Sequence, residues 1–418
     1  TLGFPGSATV PTEIWPISSA RRKAGWDGGR RRRPQPATDL ILIQAPSWTY
    51  PEVGRHDVEC ELTSNPGGDP CASIPSNISI LRDRHLHART LYLCILDAEG
   101  NVLLHKNLPC DRERFLEAIK PYREDLVVAC ECIFSWYWLA DLCAEHSIPF
   151  VLGHALYMKA IHGGKAKNDR IDALKIASLL RGGLLPMAYV YPAQMRSTRD
   201  LLRRRTHFVR KRAQLMAHVQ NTFHQYNLPR PPGPLVYKYQ RAPIPDAFDD
   251  PMLKKSVETD LALCDTYDEL IRDLEKTVVR QARVHDPQTL LRLNTIPGIG
   301  EILSLTLLYS GHDIDRFESV QRFASYARLV KCEKSSAGKR LGTAGHKIGS
   351  VHLKWAFSEA AVSVIRHLPQ SKRLHDRLKR KYGKGKALSI FAHKLGRTVY
   401  FMLKRNQAFD ADRFLANA

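Results

Sequence analysis

The run Leu126-Val127-Val128-Ala129-Cys130 is apolar at every position and closes on a carboxylate, Glu131. An unbroken apolar run of this length suits a strand buried on both faces, in a sheet covered by helices rather than one open to water. Leu91, Leu93 and Ile95 alternate with Tyr92, Cys94 and Leu96, so a second strand also needs both faces covered. The turn Ala98-Glu99-Gly100-Asn101 returns residues 102–105 as its partner. Helical patterns over 115–119 and 136–146, a strand over 149–152 and a helix from about Asn168 to Leu180 follow. Apart from the short helix at 115–119, the order strand, strand, strand, helix, strand, helix is that of an α/β layer.

Beyond the sheet the period changes. Leu201, Phe208 and Leu215 fall at heptad spacing, shadowed by Leu202, Val209 and Met216, with Arg203, Arg204, Arg205, Arg210, Lys211 and Arg212 between them. This is a basic, coiled-coil-like stripe. Prolines between 229 and 245 break the helix. A second stripe through Leu263, Leu270, Leu274 and Val278 suits pairing of the two helices with each other or with another subunit. The last region opens near Leu290 on Ile296-Pro297-Gly298-Ile299-Gly300 and reads as mainly helical, with a loop over 334–349.

The charge narrows the partners. Sixty-three Lys and Arg against 42 Asp and Glu leave a net charge of +21, a surplus that attracts polyanions, nucleic acid first among them. No apolar run approaches the ~20 residues that span a bilayer, and the basic helices lack a wide apolar face for a membrane surface. Nine cysteines with no CxxC pair argue against structural zinc and for a reducing, cytoplasmic setting. Residues 1–78, rich in Pro, Gly and Ser with Arg21, Arg22, Lys23 and Arg30 to Arg33, read as a basic tail that is disordered or foreign to the fold. Prolines stand where a secretory signal would be apolar. The chain opens on Thr1 rather than Met, which fits a fragment or a translation extended past its true start.

Carboxylates carry the first candidate chemistry. Glu131 ends a buried strand, where ligands of α/β sheets bind. Cys130 and Cys132 share one face of that strand and leave Glu131 on the other. Asp169 and Asp172 stand three apart at a helix start, with Cβ atoms roughly 5–6 Å apart. Two anions so close repel, and a divalent cation removes the cost; hard oxygen donors suit Mg²⁺ or Mn²⁺. The competing reading is an N-cap at Asn168 or Asp169 with acids complementing the helix dipole. Lys165 and Lys167 in the preceding glycine loop suit a phosphate backbone or an ordinary turn. Gly298 and Gly300 resemble the turn of a helix-hairpin-helix, whose amides meet DNA phosphate; a structural turn is the alternative. Ser335-Ser336-Ala337-Gly338 precedes Lys339 and Arg340, placing hydroxyls beside cations able to stabilise charge at an attacked phosphate. Most such segments are plain turns.

In this order the pieces resemble the DEDD transposases of insertion-sequence family 110, over roughly residues 83–405. The resemblance rests on His87-Ala88-Arg89-Thr90, Glu131, Lys167-Asn168-Asp169-Arg170-Ile171-Asp172-Ala173, Ile296-Pro297-Gly298-Ile299-Gly300, and Ser335-Ser336-Ala337-Gly338 leading to Gly342 and Gly345. It implies an RNase H-like, RuvC-type domain over 79–190, a helical coiled-coil region over 191–288, a serine transposase domain over 289–405 with a helix-hairpin-helix-like turn, and a tail over 406–418. Glu131, Asp169 and Asp172 match the second, third and fourth Mg²⁺-binding acids. At the position of the first stands His85, with Asp83 two residues earlier on the same strand face, roughly 7 Å away. Ser336 matches the family's nucleophile, with Ala337 where glycine is usual. The resemblance further implies a composite site shared between subunits of a dimer or tetramer, and a structured guide RNA that chooses the DNA. In a bacterium such a chain works in the cytoplasm, at the nucleoid. A metal-dependent junction nuclease without serine chemistry and a decayed, non-cutting nucleic-acid binder are the alternatives; His85 motivates the second.

Overall fold

The two apolar runs flank one strand in the middle of a six-stranded sheet. In the computed structural model, which describes residues 77–82, 90–161, 168–231, 233–344 and 348–416, the strands are β1 (Asn77–Arg82), β2 (Thr90–Asp97), β3 (Val102–Pro109), β4 (Leu126–Glu131), β5 (Phe150–Gly153) and β6 (Met187–Ala188). Their order is β3-β2-β1-β4-β5-β6. The first three run antiparallel, β4 and β5 lie parallel to β1, and β6 closes the edge antiparallel. This is the RuvC-like arrangement expected above. The basic tail, Asp83, His85, Lys165 and Lys167 lie outside the described residues, although β1 begins at Asn77, inside the stretch read as tail.

Both sheet faces are covered, as the two strands require. Val128 and Cys130 enter one core with α1 (Arg112–Ile119) and α2 (Trp136–Glu145). Cys94, Leu96 and Ala129 enter the other, under Met158 of α3 (Ala155–Ile161) and Ala173, Ile176 and Ala177 of α4 (Asp169–Arg181). The sequence reading lacks α3, whose seven residues are too few to display a helical period.

Next come α5 (Ala193–Gln225), a short α6 (Lys238–Arg241) in the proline-rich link, and α7 (Pro251–His285). α5 and α7 pack against each other within the chain, antiparallel: Arg205 pairs with Glu275 at 2.6 Å, Arg212 with Asp268, and His218 with Asp260 at 2.5 Å. The face of α7 that turns inward is not the one the leucines suggest. Leu263 and Leu270 are 45% and 43% exposed, whereas Val257, Leu261, Cys264, Ile271, Val278 and Ala282 are buried. Asp268 and Glu275 occupy the same heptad position as Leu261 and Ala282. Their pairing with Arg212 and Arg205 rotates the helix away from the leucine face.

The chain ends in α8 (Pro287–Asn294), α9 (Glu301–Gly311), α10 (Val320–Tyr326), a hairpin of β7 (Cys332–Ser336) and β8 (Lys339–Ala344), α11 (Val351–His367), α12 (Pro369–Tyr382), α13 (Lys384–Lys404) and α14 (Ala411–Ala416). The hairpin replaces much of the loop expected over 334–349. The α2 face of the sheet and these helices share one continuous core, running from Val128 through Tyr191 and Met195 to Leu305, Phe357 and Leu395. At the junction the Tyr191 hydroxyl donates to the Tyr309 carbonyl at 2.9 Å, and the Tyr189 hydroxyl lies 2.5 Å from His312 Nδ1. Among the described residues no helix is long and apolar enough to cross a membrane.

Asp268 also receives Arg241, which is 3% exposed, from the link. Burial alone would raise the Asp268 carboxyl, but hydrogen bonds from Arg241 and Arg212 outweigh it and hold the group below the ordinary aspartate value. A depressed carboxylate contributes its stability fully above its unfolded value and loses it as pH falls through the folded value. Asp268→Ala is therefore expected to cost about 3 kcal/mol near neutral pH, by taking the carboxylate from Arg212 and leaving Arg241 with Asp265 alone. In denaturant melts the gap from the parent protein should narrow below about pH 4.

Candidate catalytic site

Glu131 is the last residue of β4 and pairs with Gly153 of β5. Strand alternation puts it on the face of Ala129, beneath α4. The direction of α4 follows from its ends. Its last residue, Arg181, donates to the Ala98 carbonyl beyond the end of β2. That point lies at the start of β1 and β4, since Asp97 pairs with Asn77 and Asn77 with Leu126. α4 thus runs back against β4, and its first turn stands at the end of the sheet where Glu131 lies. That turn is fixed by Asn168, whose side chain accepts from the Ile171 amide at 2.8 Å, so the capping reading holds for Asn168.

Asp172 is 5% exposed, and Lys175 Nζ lies 3.8 Å from its Oδ1. Glu131 Oε2 and Asp172 Oδ2 are both withdrawn from water. Asp169 is exposed at the mouth of the same turn. As the last residue of the strand, Glu131 also reaches the α2 side of the sheet, where it borders a cavity of about 30 Å³ with Cys110, Cys130, Trp136 and Trp138, room for roughly one water. Among the described residues no three His, Cys, Asp or Glu side chains stand close enough together to hold a metal ion. The donors at this end are hard oxygens in an open arrangement, which fits Mg²⁺, an ion that keeps several waters and takes only one or two protein carboxylates.

Ser336 occupies a different element. It ends β7 and pairs with Lys339 across a two-residue turn, Ala337-Gly338. Both turn residues have positive φ, 49° and 72°, which is the twist that closes a tight hairpin. Directly paired residues share a face, so Lys339 stands beside the Ser336 hydroxyl and Arg340 beside Ser335. All four are exposed. The hairpin is rooted near α3: burial raises the Tyr157 phenol, Cys332 at the start of β7 adds to that rise, and Arg322 opposes it. Since α3 follows β5, the root lies near the end of the sheet that carries Glu131.

The nucleic-acid candidates separate into groups. Arg204 is exposed and Arg203 half-buried on α5, while Arg205 is engaged with Glu275 in the helix seam. Gly298, at φ 79°, is required by packing, because a Cβ there would lie 2.5 Å from His367 Nδ1 and 2.8 Å from Ser363 Oγ. Gly300 faces open space and caps α9. Beside it, Arg272, Lys276, Arg280 and Arg283 of α7 line a cleft of about 410 Å³ with Glu275, Val279 and Glu301. Sequence reasoning missed these four cations. Their spacing of three and four was the signal, legible only once the buried face of α7 is known.

Residues 290–376 match the model of the transposase IS116/IS110/IS902 family, and residues 86–228 match a second transposase model, of the DEDD type of IS110. The transposase for insertion sequence element IS1111A of Coxiella burnetii is 22% identical over 326 residues, 76% of this chain and 87% of the relative. A probable family 20 transposase of Pseudomonas aeruginosa is 24% identical over 327 residues, covering 73% and 93%. The two model matches take in strands β2 to β6 of the acid-bearing sheet with α5, and the serine hairpin with α10 and α11.

Ala337 bears the strain of the hairpin turn, since a left-handed residue with a Cβ costs about 1–2 kcal/mol. Ala337→Gly is expected to slow hydrogen exchange of the β7 and β8 amides. Ala337→Val should speed it by about tenfold, because a β-branched residue tolerates positive φ least.

Proposed function

The chain belongs to the IS110-family DEDD transposases, enzymes that cleave and join DNA, and from that premise we propose that its chemistry is divided between the acids at the sheet end and the serine at the hairpin tip. The observation that carries this reading is the convergence of Glu131 and the first turn of α4 at one end of one sheet face. Carboxylates brought to one end of the sheet repel one another and favour a cation. Glu131 and Asp172 would hold Mg²⁺ or Mn²⁺, with Asp169 and, from the sequence, Asp83 as further acids that a DNA-bound site would recruit. When bound, the ion supplies positive charge at the scissile phosphate.

Ser336 Oγ attacks phosphorus; the Oγ–P bond forms as the P–O3′ bond breaks, and the serine proton ends on the departing 3′ oxygen. A 3′ hydroxyl of the second duplex then attacks the phosphoserine, which restores the serine and rebuilds a phosphodiester without outside energy. Lys339, paired across the hairpin from Ser336, offsets the charge that develops on the phosphate oxygens. Exposure of Ser336 at a tip supports delivery to the acids of a second subunit, so the working unit is an oligomer. The net charge of +21 gives the protein capacity for two polyanions, element DNA and a structured guide RNA that selects the target.

Ser336→Ala is expected to reduce covalent protein–DNA adducts on a denaturing gel by at least roughly 10³-fold. Because the residue is exposed, its melting should shift by no more than about 0.5 kcal/mol. Adducts at the parental yield would remove Ser336 from the mechanism. Nicked DNA with free protein from the parent chain would favour a nuclease acting through the acids alone.

A further inference from the structure

A dense positive surface lies outside both groups described above. Between Lys372 and Lys386 there are eight cations and a single acid, Asp376. All eight cations are exposed. They occupy α12 and the turn into α13, while Ser371 and Leu374 turn the opposite face of α12 into the protein. Like charges at helical spacing repel, and the segment itself carries one acid against eight cations. The first turn of α13 repeats the arrangement: Lys384 and Lys386 stand at the positive end of a 21-residue helix with no acid in that turn, where a cation is disfavoured by the helix dipole. The last turn of α12 favours its cations through the helix dipole, but their mutual repulsion and the cations at the start of α13 remain, and a bound polyanion would relieve both.

We propose that α12 and the α12–α13 turn form a docking surface for the phosphate backbone of duplex DNA, gripped by Arg373, Lys379, Arg380, Lys381, Lys384 and Lys386. The proposal rests on the DNA-joining reading for its partner and not on the serine chemistry. Three features select a duplex. The cations ride on a rigid helix, rising about 1.5 Å per residue, and so present a fixed row to a partner with regularly spaced charge. An unpaired strand is normally held by bases stacked on open aromatic rings, yet the aromatic on this surface, Tyr382, has Lys381 Nζ at 5.3 Å and Lys386 Nζ at 5.0 Å over its ring. The apolar residues Leu374 and Leu378 are buried and half-buried, which leaves no apolar face to enter a lipid surface.

The test uses the full chain and a labelled duplex of arbitrary sequence, with affinity measured across a salt series. Each lost phosphate contact lowers the slope of log K against log salt by about 0.9. Replacing Arg373, Lys379, Arg380 and Lys384 by Gln together is expected to lower it by about 2 to 4. A control replaces four cations around the distal end of the α5–α7 pair, Arg230, Lys238, Lys254 and Lys255, by Gln and should leave the slope within about one unit. An unchanged slope in the first variant, or an equal fall in the control, overturns the proposal. So does a loss confined to an RNA hairpin or to anionic phosphatidylserine vesicles with duplex binding intact. Because the slope is read without cleavage, it can fail while the Ser336 adduct survives, and the reverse.

Discussion

The packing of α4 against β4 and its neighbours decides what the acid-bearing end of the molecule can do. Ala173, Ile176 and Ala177 lie on Cys94, Leu96 and Ala129, and the small side chains let the helix sit close to the sheet. That contact fixes where α4 begins. Because the helix runs opposite to β4, its capped first turn arrives at the strand end that carries Glu131. Carboxylates 41 residues apart in sequence, Glu131 and Asp172, come to one end of one face with no contact between their own segments being needed. The burial that holds the helix also withdraws Asp172 from water, with Lys175 Nζ 3.8 Å from its Oδ1.

The rest of the chain is arranged around that body by charge as much as by apolar burial. The α5–α7 pair contains arginine–carboxylate pairs in its seam, and they set its register. Buried ionic pairs add little net stability against apolar packing, but a mismatched register would leave a charge unpaired. The base of α5 enters the same core as the α2 face of the sheet and the C-terminal helices. The serine hairpin, by contrast, projects with exposed polar residues on both strands. A rigid acid end and a projecting nucleophile suit a reaction in which the two are brought together by DNA or by another subunit.

The sheet was largely legible in the sequence because β2 and β4 are apolar on both faces, and only a layered fold covers such strands. Asn168 and Asp172 were legible as well, since capping chemistry and spacing are local. The hairpin was not: Cys332–Ser336 and Lys339–Ala344 lack an alternating apolar face, and its turn uses Ala-Gly where Asn-Gly would have announced it. The inner face of α7 was misjudged because leucine outweighed aspartate in a reading by hydrophobicity, whereas a charge pair chose the face. In each case a residue's partner, absent from local sequence, determined its placement.

The central claim is that Glu131 and Asp172 act on one ion. Electron paramagnetic resonance of Mn²⁺ titrated into the full chain tests it without reference to cleavage. The account expects a bound-ion signal that Glu131→Gln and Asp172→Asn each weaken by at least about tenfold in affinity, as removal of a ligand shared by one site requires. A signal that survives either replacement at parental affinity would mean that the two carboxylates do not share an ion, and the site as described would be wrong.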